Sequence, residues 1–289
     1  MSLQVLNTIS AMREVRAVAG RKGKLGLVPT MGALHEGHLS LVRAARRECD
    51  VVAASIFVNP TQFAANEDFS KYPRTFEDDC SMLEAEGVEL LFAPSVEEMY
   101  PAGAQTYVDV GEVGSRLDGK SRPGHFRGVV TVVSKLFHIV MPDAAYFGQK
   151  DAAQIAVLQA MVRDLNFPLQ MVVCPTVRDN DGLALSSRNR YLSHAERSQA
   201  LALPRALGLV EDLVEGGTFA ADELCKVLRT ELRKADGIRL DYAEIVDPAT
   251  LQPLEHVRKG ALVAVAGWVG STRLIDNVVL APQVMEERR

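Results

Sequence analysis

The segment 29–38, PTMGALHEGH, holds the densest set of residues able to do chemistry. His35 and His38 stand three apart, so both rings can face one side of a helix's first turn and donate to phosphate oxygens. Gly32 and Gly37 let the backbone come close to a ligand, and the unpaired N–H groups of a helix start favour an anion. A zinc reading fails on spacing, because a helical ligand pair needs HExxH and the chain reads HEGH. Neither GxxxxGK[ST] nor GxGxxG occurs, so a nucleotide bound here is held by the histidine loop instead.

Four further segments carry polar groups in suggestive places. In 57–63, FVNPTQF, Asn59 and Gln62 offer neutral amide donors and acceptors; Asn59 reads equally well as an Asn-Pro turn, whereas Gln62 has no turn role. In 147–154, FGQKDAAQ, Asp151 and Gln154 have the spacing of a capping box, which leaves the Lys150 cation unexplained except as a phosphate contact. In 184–189, ALSSRN, two hydroxyls and an arginine form a loop able to close over a triphosphate. In 121–127, SRPGHFR, Arg122, His125 and Arg127 suit either an anion or a solvated helix start. Glu77, Asp78 and Asp79 read first as complements to a helix dipole and second as a magnesium contact.

These segments must be held by something, and the pattern between them is strand, loop, helix, repeated. Apolar runs at 24–29, 50–58, 89–93, 144–147 and 170–174 read as strands; 38–48, 75–86, 125–140 and 151–165 read as helices. Such alternation predicts an α/β fold with a parallel sheet and right-handed crossovers, whose ligands bind beyond the carboxyl ends of the strands. After Pro175 the rhythm changes to helices at 193–215 and 221–234, then strands at 241–246, 261–265 and 272–279. A smaller α+β domain is therefore expected at 177–289, after a first domain at 1–176.

Composition narrows the classes. The chain has 289 residues, 32 Lys plus Arg against 37 Asp plus Glu, and a net charge of -5, with none of the basic excess of a nucleic-acid binder. No apolar run of 18 residues is present and the first residues lack a basic start followed by an apolar block, so a cytoplasmic enzyme without membrane or nucleic-acid partners is expected. Cys49, Cys80, Cys174 and Cys225 have no metal-ligand spacing and read as free thiols.

Taken together, PTMGALHEGH, FVNPTQF, YPRT (72–75), RPGHFRGV (122–129), FGQKD and LSSRN, in this order and spacing, resemble the pantothenate synthetase family over residues 3–280. The resemblance implies a nucleotidylyltransferase-type fold, with a Rossmann-like N-terminal domain and a small C-terminal one, and a homodimer. It also implies an ATP- and Mg2+-dependent ligation of pantoate and β-alanine through a pantoyl adenylate. By the family pattern Met31, Gly32, Ala33, Leu34, His35, Glu36, Gly37 and His38 contact ATP, with His38 as proton donor. Gly148, Gln149, Lys150 and Asp151 hold the nucleotide, Val177 lies by the adenine, and Leu185, Ser186, Ser187 and Arg188 meet the phosphates. Gln62 and Gln154 bind the substrate, Arg122 and His125 lie by the pantoate pocket and Asp78 near the magnesium, while Asn59 is expected as a substrate contact on its own chemistry. Leu185 departs from the commoner methionine, a swap that conserves apolar volume. The rival readings are a nucleotidylyltransferase that stops after transferring AMP and a non-enzymatic ATP-binding module.

Overall fold

In the computed structural model, which describes residues 2–19, 23–63, 69, 72–257 and 260–280, the apolar runs of the first half become strands of one sheet. Along the chain come β1 (Gln4–Leu6), α1 (Ile9–Ala19), β2 (Leu25–Thr30), α2 (Glu36–Glu48), β3 (Val51–Ile56), α3 (Phe76–Ala85) and β4 (Leu90–Phe92). Then follow α4 (Val96–Met99), α5 (Asp118–Ser121), α6 (His125–Val140), β5 (Ala144–Gly148), α7 (Ala152–Asp164) and β6 (Gln170–Cys174). The strand order is β1-β4-β3-β2-β5-β6, and every pairing is parallel. From β2 the chain builds outward to β3 and β4, then returns to add β5 and β6 on the other side. The order thus reverses between β2 and β5, where a doubly wound sheet opens a crevice at the carboxyl ends of its strands. The histidine loop leaves β2 at that reversal.

Burial explains the elements. β3 is covered on both faces, as a continuous apolar strand of a parallel sheet requires. α6 is rich in valine and still helical, because nearly all of its surface is buried, against α1, β2 and the turn after β3 among others. Tertiary contact there outweighs the weak helix propensity of β-branched residues. Sequence reading missed β1 and α1: β1 has three residues and acquires its identity by pairing with β4.

The chain divides into two compact units: Met1–Gln149 with Val157–Val177, and Lys150–Ala156 with Arg178–Arg289. The second contains α8 (His194–Ala200), α9 (Ala202–Glu215), α10 (Ala221–Arg233), and the antiparallel sheet of β7 (Ile238–Val246), β8 (Leu262–Val269) and β9 (Thr272–Val279) in the order β7-β8-β9. α10 packs on β7 and α9 on β9, around a core that includes Leu203, Leu207, Leu224, Leu228, Val263 and Val265. The single helix expected over 193–215 breaks at Leu201, which closes α8 and opens α9. Pro204 has no N–H for the carbonyl four residues back, a loss without cost in a helix's first turn, so a new helix starts there. The four cysteines are free, and burial pushes the thiols of Cys80, Cys174 and Cys225 up.

Candidate active site

The histidine loop is built by hydrogen bonds that the chain makes to itself. The Thr30 hydroxyl, closing β2, donates to the Ser55 carbonyl at 2.7 Å and accepts from the Gly32 N–H at 3.1 Å. Gly32 (φ +80°) and Ala33 (φ +51°) then take left-handed backbone, which glycine adopts freely and alanine does not. Asp79 stabilises that conformation. Its carboxylate, 1% exposed, accepts from Ala33 N–H at 2.9 Å, Leu34 N–H at 2.8 Å and the Thr75 hydroxyl at 3.1 Å. A Cβ at residue 32 would stand 3.0 Å from the same carboxylate, so glycine is needed there for space as well as for φ.

α2 starts at Glu36, two residues before the expected start, because His35 is its cap. His35 Nδ1 accepts from Gly37 N–H at 3.2 Å, and His38 Nδ1 accepts from His35 N–H at 3.3 Å, a reciprocal capping box made of imidazoles. Their ring centroids are 4.1 Å apart. With both Nδ1 atoms acting as acceptors, the proton of each neutral ring belongs on Nε2, the tautomer that donates to an anion at the amino end of a helix.

The turn after β3 makes a second cluster in the same unit. Pro60–Gln62 is one turn of 3-10 helix capped by Asn59. Asn59, 1% exposed, donates from Nδ2 to Gln62 Oε1 (3.0 Å) and to the Gly128 carbonyl (3.1 Å). Its Oδ1 accepts from the Thr61 hydroxyl and the Tyr100 hydroxyl, both at 2.9 Å. The Asn59 amide is thus fully engaged by the protein and acts by orienting Gln62, whose Nε2 lies 3.1 Å from Met31 Sδ. From α6, His125 Nδ1 donates to the Gln62 carbonyl at 2.8 Å, and Arg122 lies 2.9 Å from His125 Nε2. Met31, Gln62, Arg122 and His125 are therefore brought together by direct contacts, and the solvated helix start weighed for Arg122 and His125 gives way to a packed one. Gly128 permits this approach: a Cβ there would lie 2.4 Å from the Thr61 carbonyl oxygen and 2.7 Å from Gln62 N.

The acidic run separates by helical register. Asp78 is exposed in the first turn of α3, while Asp79 shares a face with buried Leu83. Among the described residues no three His, Cys, Asp or Glu side chains form a metal cage. A magnesium ion that travels with a triphosphate needs none, since phosphates and waters supply most of its oxygens, and a single exposed carboxylate such as Asp78 fits it.

In the second unit, Lys150 and Asp151 lie in a 3-10 turn ahead of α7, with Lys150 Nζ 3.5 Å from Asp151 Oδ1. α7 starts at Ala152, which puts Asp151 at the cap position and Gln154 at the third helical residue as expected, and the Asp151 carboxylate also pairs with Lys150. Ser186 caps the 3-10 helix Ser187–Tyr191 through its hydroxyl, which accepts from Arg188 N–H at 3.2 Å. The side chains of Ser187 and Arg188 have no protein partner among the described residues, in contrast to Asn59. Gly148, Gln149 and Val177 belong to the first unit and Gln154, Leu185 and Arg188 to the second.

By sequence Asp79 reads with its neighbours as a dipole complement or a magnesium contact rather than as the support of the loop, and Gly128 and Tyr100 are not singled out. The first had a signal, the i, i+4 spacing of Thr75, Asp79 and Leu83 along one helix face. Gly128 and Tyr100 become visible only once α6 and the turn after β3 are in contact.

A parallel sheet that reverses its order beside a histidine-capped helix defines a doubly wound α/β protein shaped to receive a phosphorylated ligand. Residues 4–279 match the Pantoate-beta-alanine ligase family, and the chain belongs to it. It is 57% identical over 279 residues to a pantothenate synthetase of Koribacter versatilis, covering 96% of each chain. It is 63% identical over 256 residues to that of Acidobacterium capsulatum, covering 89% of this chain and 86% of the relative. A crystal structure of pantothenate synthetase from Thermus thermophilus superposes with a TM-score of 0.92 at 48% identity, covering 97% of this chain and 100% of that one. A Francisella tularensis pantoate-beta-alanine ligase, solved with a β,γ ATP compound and β-alanine, superposes with a TM-score of 0.79 at 34% identity over 98% of this chain and 100% of that one.

Proposed function

We propose that this protein ligates pantoate and β-alanine to pantothenate, with ATP cleaved to AMP and pyrophosphate. The observation that carries the reading is the interlocked pair His35–His38 at the amino end of α2, in a chain that matches its family from residue 4 to 279. In the first step a pantoate carboxylate, already ionised at neutral pH, attacks the α-phosphorus, so this step needs no general base. It needs in-line positioning and compensation of phosphate charge. His35 and His38 supply Nε2–H donors, and Lys150, Ser186, Ser187 and Arg188 supply cations and hydroxyls on the family pattern. Gln62, held by Asn59, and Gln154 orient pantoate without altering the charge balance, while His125 at the start of α6 and Arg122 just ahead of it fix the Gln62 backbone. Magnesium, when bound to the nucleotide by Asp78, withdraws charge from the phosphates. In the second step the β-alanine amine attacks the adenylate carbonyl and AMP leaves.

In this reading residues 1–176 are the ATP- and pantoate-binding domain and residues 177–289 a small lid domain that shields the adenylate from water. The working state is a cytoplasmic homodimer. The direct test is pantoate-dependent exchange of labelled pyrophosphate into ATP with β-alanine withheld, followed by pantothenate formation once it is added. ATP binding without any pantoate-dependent exchange sinks the proposal in favour of a plain ATP-binding module. A nucleotidylyltransferase that stops after AMP transfer would form no amide when β-alanine is added.

A further inference from the structure

β9 carries two adjacent polar residues, Asp276 and Asn277, that are 2% and 3% exposed. Neighbouring strand residues point to opposite faces of a sheet, so the pair reaches both ways. Asp276 takes a two-pronged bond from Arg178, with Nη1 to Oδ2 at 2.7 Å and Nη2 to Oδ1 at 3.0 Å. Arg178 also donates to the Gly182 carbonyl at 3.1 Å and pairs by backbone with Ala184, at the root of the loop that carries Ser186, Ser187 and Arg188. Asn277 donates from Nδ2 to the Lys150 carbonyl at 2.8 Å. Lys150–Ala156 belongs to the second unit although it leaves the end of β5, a strand of the first.

We propose that Asn277 is a positioning residue for Lys150, and that with Asp276 it refers both phosphate-binding segments of the second unit to one strand. The proposal rests on the assignment of Lys150 to the ATP phosphates. A misplacement of about 1 Å in a group that must meet a phosphate costs up to ~10²-fold in rate.

The test uses the full-length enzyme and pantoate-dependent pyrophosphate exchange, with Asn277→Ala, Lys150→Ala and the double variant. Asn277→Ala is expected to lower the exchange kcat about 10- to 100-fold with the KM for β-alanine unchanged. In the Lys150→Ala background it should add nothing, because its target is gone. Asn277→Leu keeps about the same shape, adds no charge and loses the donor, so it reports the same loss if the alanine variant folds poorly. Wild-type exchange in Asn277→Leu beside an impaired Lys150→Ala overturns the proposal, as does a loss from Asn277→Ala that persists undiminished without Lys150. Full activity of Lys150→Ala would instead remove the assignment of Lys150, and the proposal with it.

Discussion

Asp79→Asn isolates the support of the histidine loop. The substitution keeps the shape of a side chain that is 1% exposed and removes its charge. The carboxylate accepts from two consecutive backbone N–H groups at 2.9 and 2.8 Å and from the Thr75 hydroxyl. An asparagine can present its single oxygen to one N–H, and its NH2 group then faces the other. Weakening one charge-assisted bond to a neutral one loses about 1 kcal/mol, and an unpaired buried N–H costs about 1 to 3 kcal/mol more. The sum, about 2 to 4 kcal/mol, corresponds to roughly 30- to 700-fold in an equilibrium at about 1.4 kcal/mol per decade. Ala33 is already at φ +51°, so the loop has little to resist with once the bonds are gone. The expected results are a melting temperature lower by about 5 to 15 °C and a kcat/KM for ATP reduced at least tenfold. The KM for β-alanine should hold. Asp78→Asn, at an exposed position of the same helix, leaves the melting temperature in place. Melts and ATP kinetics of Asp79→Asn that overlay the wild type would refute the reasoning.

Removing one phosphate donor typically costs about 10²- to 10³-fold, so His38→Ala should lose that much pantoate-dependent pyrophosphate exchange; near-normal turnover would remove the histidine pair from the mechanism. Gly128→Ala places a methyl group 2.4 Å from the Thr61 carbonyl; overpacking of about 1 to 3 kcal/mol should lower the melting temperature and raise the KM for pantoate, and an unchanged pantoate KM would argue against the joint between α6 and the turn after β3. The buried Tyr146 phenol is pushed well above its ordinary value of 10 by burial and by its bonds to Cys49 and Glu48. The unfolded chain then releases that proton first as pH rises past about 10, so folded-state stability falls from there upward. Urea midpoints across that range should fall, and less steeply in Tyr146→Phe; parallel curves would contradict the sign.

Much of the framework was readable before the fold was known, and the reasons are local. β3 is apolar throughout because both its faces are covered, and the histidine loop announces itself by two imidazoles and two glycines at a strand-to-helix junction. β5 is legible as a short apolar run, and α6 as an apolar run too long for a strand despite its valines. What could not be read depends on which side of an element meets which neighbour. Asp78 and Asp79 are chemically identical, and only the register of α3 against the loop turns one to solvent and the other inward. Asn59 has the chemistry of a ligand contact, yet Tyr100 and Gly128, remote in sequence, occupy its amide. The turn ahead of α7 gives its Lys150 carbonyl to Asn277 on β9, a partner that no local pattern announces.

The imidazole capping box has a consequence for how its members are measured. Each ring completes the other's footing: His35 Nδ1 anchors Gly37, and His38 Nδ1 anchors His35. Deleting either ring disarms its neighbour by letting the helix's opening residues fray. Individual deletions will each assign the whole loss to one residue, and their logarithms will sum to more than the double deletion delivers. The two side chains make one functional part, in the way a hinge's leaves make one hinge.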